Sequence, residues 1–144
     1  MWGRLNTKER LAKYDVSIDE TCLLCGKEKE SIKHLFFACD YSRNCLQEVK
    51  NWLHWRLNAE SVQGIIKNIK NNKSSSATRR SMLKVVIAGL IYHIWEARND
   101  VLWNQKMRRI QAVVKHIQRE SKLRIIEIMP KKTKDVDREW IVNI

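Results

Sequence analysis

Proline occurs once and glycine four times in the 144 residues, so the turn-rich composition of an all-β chain is missing and a mainly helical chain is expected. Long hydrophobic runs are missing as well. The longest, residues 85–92, is followed by His93, Glu96 and Arg98 and falls far short of the roughly 20 residues that cross a bilayer, so no membrane span is expected. The N-terminus, Met1-Trp2-Gly3-Arg4-Leu5-Asn6, has no basic region followed by an apolar stretch. No secretory signal is read there, and the expected compartment is intracellular, nuclear or cytoplasmic. Catalytic patterning is equally thin: acidic residues are scattered and no nucleophile stands beside a histidine in a motif. The chain is therefore expected not to be an enzyme.

Acids also thin out along the chain. Residues 1–60 hold ten Lys/Arg against nine Asp/Glu, whereas residues 61–144 hold eighteen against seven, so nearly all of the formal net charge of +12 is C-terminal. A basic excess of this size points first to nucleic acid or an anionic surface as partner. Cysteine occurs four times. In a reducing compartment such thiols serve as metal ligands or buried groups rather than disulfides.

Helical signals order the chain. Thr7 followed by Lys8-Glu9-Arg10-Leu11 reads as an N-cap opening a short helix, with Leu5, Leu11 and Tyr14 as its apolar side. Residues 15–20 form a polar loop before the first cysteine pair, and Ser31 is placed to cap a second helix that carries His34. Over residues 41–57, Cys45, Leu46, Val49, Trp52 and Leu53 fall at helical spacing. Ser61 caps a short fourth helix with Val62, Ile65, Ile66 and Ile69, and Asn71-Asn72-Lys73-Ser74-Ser75-Ser76 reads as a linker. Residues 78–103 should make one long helix whose middle is apolar on nearly every side, and which must therefore be buried among neighbours or in a self-association interface. The last helix, residues 108–128, is amphipathic. Residues 131–144 open on Lys131, Lys132 and Lys134 and read as a flexible basic tail.

The chemistry-bearing constellation is Cys22-x2-Cys25, eight residues, His34, four residues, Cys39. Structural zinc takes four ligands placed tetrahedrally and prefers thiolate plus imidazole. A Cys-x2-Cys turn brings two sulfurs to one ion while its amides point inward at the thiolates. On an α-helix His34 and Cys39 would sit about 140° apart, so the helix has to end before Cys39 for both to converge, and Asp40 and Tyr41 are read as that break. Four ligands leave no open coordination position for a metal-bound nucleophile, which makes the expected cofactor one structural zinc ion. Zinc binding worth roughly 10 to 16 kcal/mol can replace a missing core, and without it this half should unravel. Cys45 is the competing ligand. It lies on the apolar side of the third helix with Val49 and Trp52 and reads as a small buried hydrophobe. His54, His93 and His116 have no partner at ligand spacing.

These residues have a familiar pattern. Trp2, the string Arg4-Leu5-Asn6-Thr7-Lys8-Glu9-Arg10-Leu11, then Cys22-Leu23-Leu24-Cys25-Gly26 and Glu30-Ser31-Ile32-Lys33-His34-Leu35-Phe36-Phe37-Ala38-Cys39 resemble the reverse-transcriptase zinc-binding domain of plant LINE-type, non-LTR retrotransposons. Further on, Ile94-Trp95-Glu96-Ala97-Arg98-Asn99-Asp100 resembles an element found downstream of that domain. The resemblance implies that Cys22, Cys25, His34 and Cys39 take the family's ligand positions, and that the domain grips template RNA or target DNA. It also implies a truncated piece of such a polyprotein, without its polymerase or ribonuclease H parts.

Basic residues supply the expected contact surface. Ile110, Val113, Val114, Ile117 and Ile128 share one side of the last helix, with Arg108, Lys115, Arg119 and Lys122 opposite. Arg79, Arg80 and Lys84 belong to an earlier stretch, residues 61–84, that holds no acid. These seven are the candidate contacts to RNA or DNA, made through phosphates with little sequence preference. The expected architecture is all-α, a small zinc-stapled helical module followed by long helices. Its parts are residues 1–57 as the zinc-binding domain, 58–77 as short helix and linker, 78–130 as a two-helix segment and 131–144 as the tail. The alternative is a protein-interaction or self-association module, in which the apolar helix of residues 85–95 docks a protein partner or a second copy as a homodimer.

Overall fold

The computed structural model describes residues 5–14, 19–56, 59–73 and 75–144. Trp2, Arg4, residues 15–18, Leu57 and Ser74 lie outside them, and with these go part of the resemblance, part of the polar loop and the expected end of the third helix. Six α-helices follow one another among the described residues: α1 (Lys8–Ala12), α2 (Asp40–Trp52), α3 (Val62–Asn71), α4 (Ala77–Asn104), α5 (Ile110–Ile128) and α6 (Asp135–Asn143). Among the described residues there is no strand, only one isolated antiparallel bridge between Thr21 and Lys29. The chain is mainly helical, as its composition implies.

Serine side chains start two of these helices. Ser61 Oγ accepts from Gly64 N–H at 3.1 Å to open α3, and Ser76 Oγ accepts from Arg79 N–H at 3.1 Å to open α4, each satisfying one of the orphan donors of a helix N-terminus. Thr7 does not act this way. It is buried at the N-cap of α1 without a capping bond of its own, and Glu30 reaches across instead, its Oε1 accepting from Lys8 N–H at 3.0 Å. At the other end of α4, Gln105 adopts the left-handed conformation at φ 51° and turns the chain toward α5.

The long α4 is the axis of the molecule. Val86, Ile87, Leu90, Ile94 and Ala97 are buried, covered by α5, α3 and α2. One apolar cluster runs from Cys22 through Phe36, Val49, Ile94 and Ile117 to Ile141, so the cysteine-bearing segment and the long helices share a core. Residues 131–144 do not form the expected tail. They hold α6, with Ile141 buried in that cluster and Asp137 buried against Arg79. The lysines that open this stretch gave it a solvated appearance, while the apolar contact that fixes it comes at its far end. Ile128 differs too, standing 46% exposed at the last residue of α5.

Candidate metal centre

Residues 20–30 fold back on themselves. Glu30 N–H donates to Glu20 O and Cys22 N–H to Glu28 O, both at 2.8 Å, which pins the ends of the loop that carries Cys22 and Cys25. Inside it Gly26 closes a tight turn, its N–H donating to Cys22 O at 2.8 Å with φ at 65°, a conformation that glycine adopts without the penalty of a side chain. Ser31 Oγ then accepts from His34 N–H at 3.0 Å, the expected cap.

His34–Ala38 is a π-helical turn, and Cys39 N–H closes it onto His34 O at 2.7 Å. This wider turn leaves residues five apart about 50° from alignment, where α-helical pitch leaves a gap of about 140°. His34 and Cys39 therefore converge through a change of pitch. Asp40 and Tyr41, expected to break the helix, are the first residues of α2, and Cys39, with extended backbone at ψ 132°, is its N-cap. The break falls on the ligand itself.

The donor atoms of Cys22, Cys25, His34 and Cys39 all lie within 4.8 Å of one another. Cys22 Sγ and Cys39 Sγ are 3.9 Å apart, against about 3.8 Å for two thiolates bonded tetrahedrally to one zinc at about 2.3 Å. His34 Nε2 lies 3.3 Å from Cys25 Sγ. Among the described residues His34 Nδ1 has no hydrogen-bond partner, although Glu28 Oε2 comes within 3.3 Å of it, off the direction that a hydrogen bond requires. Three buried or half-buried thiols and one buried imidazole turned toward a common centre fit zinc. Without a metal the sulfurs share protons: the hydrogen bond between them pushes the Cys22 thiol up and holds the Cys39 thiol down, and the Ser42 and Tyr41 amides at the start of α2 further favour the Cys39 thiolate against its burial. Cys45 lies outside this group, and burial pushes its thiol up to about 12.

A second set of residues, to which sequence reasoning gave no role, ties the centre to the rest of the chain. Glu30 is 0% and Arg98 2% exposed. Arg98 Nη2 and Nε donate to Glu30 Oε1 at 2.8 and 3.1 Å, and Glu30 Oε2 accepts from Leu23 N–H, next to Cys22, at 3.2 Å. Arg98 Nη2 also donates to Asn6 O at 3.3 Å, and its guanidinium lies 5.0 Å from the Trp95 ring centroid. The available signal was helical register, since Arg98 stands eight and four residues after Leu90 and Ile94 on the face they bury. A charge on a buried face needs an opposite charge to meet it.

The seven cations expected to contact RNA or DNA do not form one row. Arg108 precedes α5 and is held by Glu96, at 2.6 Å, and by Asp100, which keeps the Asp100 carboxyl below its usual range. Arg79 Nε sits 3.1 Å from Asp137 with its guanidinium 5.1 Å from the Trp140 ring centroid, and Arg80 is bound to the carbonyls of Ser75 and Asn72. Local charge counting misses these partners because Asp137 lies 58 residues from Arg79. Lys122 Nζ reaches Val142 O at 3.4 Å. Lys84, Lys115 and Arg119 stand exposed.

No curated protein and no solved structure matches the chain. The stretch that carries all four donors does have a match: residues 1–45 fit the family described as zinc-binding in reverse transcriptase, which supports a zinc-binding domain of the reverse-transcriptase type over that part of the chain.

Proposed function

We propose that this chain is a non-catalytic module from a plant LINE-type retrotransposon polyprotein, that Cys22, Cys25, His34 and Cys39 hold one structural zinc ion, and that the module binds RNA or DNA mainly through phosphates inside the cell. The convergence of three thiols and one imidazole within 4.8 Å, inside the stretch matching the reverse-transcriptase zinc-binding family, carries the zinc reading. The nucleic-acid reading rests on the net charge of +12 and on the exposed cations Lys84, Lys115 and Arg119. Among the described residues no helix is long and apolar enough to cross a membrane. Self-association through residues 85–95 loses its motive, because Val86, Ile87, Leu90 and Ile94 are already buried by the chain's own helices.

Metal analysis of the purified protein should give one zinc per chain, with the zinc lost in Cys25→Ser and His34→Ala. Binding of a labelled oligonucleotide should weaken steeply between two salt concentrations, as expected when phosphate contacts release counterions. Zinc retained in both variants would defeat the metal assignment. Salt-independent binding, or none, would defeat the phosphate reading.

A further inference from the structure

Where α4 turns into α5, a cavity of about 600 Å³ opens between Tyr92, His93 and Glu96 on one side and the start of α5 on the other, within the size range of small-ligand sites. Three ring systems line it. Tyr92 and His93 meet edge to face with centroids 5.2 Å apart, and His93 and His116 lie 5.9 Å apart at 35°. Ala112 and Val113 add apolar surface. His93 is fixed by two carboxylates, with Nδ1 3.1 Å from Glu96 and Nε2 2.9 Å from Glu120. Tyr92 is 61% exposed, and among the described residues no carboxylate holds it.

Charge is distributed unevenly around this space. Lys106 and Arg109 also line it, both are exposed, and among the described residues neither forms an ion pair. Glu120 presents a carboxylate that spends Oε2 on His93 and leaves Oε1 without a hydrogen bond among the described residues. Arg108, also in the lining, is spent on Glu96 and Asp100, so a phosphate beside Glu120 would meet an acid, whereas beside Lys106 and Arg109 it would meet unpaired cations. A flat heterocycle with N–H donors has the opposite preference: its face suits the exposed Tyr92 ring and its N–H edge suits Glu120. The geometry points to a site for one unpaired nucleobase of a single strand, with the flanking phosphates on Lys106 and Arg109. Guanine fits best, because it presents two adjacent N–H donors, one for Oε1 and one for the second lone pair of Oε2, whereas cytosine sets an acceptor nitrogen beside its amino group and uracil and thymine place acceptor carbonyls on both sides of their one N–H. The inference rests on the nucleic-acid reading above and gives it a form: a duplex keeps its bases stacked and cannot enter.

Fluorescence anisotropy on the full, zinc-loaded chain tests this with three dodecamers at one salt concentration, each as DNA and as RNA: a pyrimidine-only strand, the same strand with central guanines, and the corresponding duplex. The guanine strand should bind about tenfold tighter than either of the others. Tyr92→Ala should remove most of that advantage and leave duplex binding unchanged. Glu120→Gln should abolish the preference for guanine over pyrimidine while single-strand binding persists. Equal affinity for all three probes, or variants that leave the guanine advantage intact, would overturn the base site and leave the phosphate reading standing. Absence of binding to every probe would overturn both.

Discussion

Glu28 and Glu30 are two residues apart in sequence and do different work. Glu28 is exposed and faces the outer nitrogen of His34 at 3.3 Å. A rotation of this exposed side chain would turn the approach into the carboxylate–imidazole hydrogen bond that orients a metal-ligating histidine and raises its basicity. Glu28→Gln should therefore weaken zinc affinity about tenfold without unfolding the protein, as read by competition with a chromophoric chelator; an unchanged constant would remove Glu28 from the site. Glu30 is fully buried, and its charge is tolerable because Arg98 and two backbone amides meet it. Arg98→Met leaves that carboxylate buried and unpaired and should cost about 3–5 kcal/mol in urea unfolding. Arg98→Lys should recover only part of this, since an ammonium cannot reproduce the fork that reaches both Glu30 Oε1 and Asn6 O. A loss below about 1 kcal/mol in the methionine variant would mean that water reaches Glu30.

At the level of helices, Gly89 invites a test that runs against intuition. It faces α5 in the middle of α4, yet a methyl group placed there would meet Ser121 Oγ at 3.6 Å and Ile117 Cγ2 at 3.8 Å, ordinary contact distances. Gly89→Ala should therefore stabilise the protein by about 1 kcal/mol through helix propensity, seen as a raised denaturation midpoint; a lowered midpoint would show the two helices packed tighter than these distances allow. Ile141→Ala in α6 should cost about 2–5 kcal/mol as a core truncation, whereas a free tail would give no change. These helices also show what the sequence made legible. The Cys and His set, the caps at Ser31 and Ser61 and the long apolar helix could be read directly, because spacing and local hydrogen bonding decide them. The π turn at His34–Ala38 was hidden, since α-helical pitch is the default and only convergence on a shared centre argues for the wider one. The fixed position of α6 was hidden for another reason. Asp137 and Ile141 find their partners far away in sequence, and composition alone sees only the lysines that precede them. Arg79 and Arg108 were read as phosphate contacts, and their ion pairs to Asp137 and to Glu96 and Asp100 were not foreseen.

For the molecule as a whole, the shared core changes what metal removal should do. The sequence suggested that only the cysteine-bearing half would unravel, but the apolar cluster is continuous from Cys22 to Ile141 and the Glu30 to Arg98 pair crosses it. Chelation should lower the thermal midpoint of the entire chain in one transition, with helical circular dichroism and tryptophan fluorescence falling together. Two separated transitions, with α4 and α5 melting at an unchanged temperature, would show independent units. That same ion pair has a consequence for how the chain can be cut. Its two members lie 68 residues apart, so a fragment that stops after α2 keeps every cysteine and histidine of the metal centre but exports an arginine-shaped hole, with a carboxylate at its bottom and Leu23 and Lys8 still hanging from it. A fragment that keeps this ion pair has to extend to Arg98, well past the end of the recognisable motif.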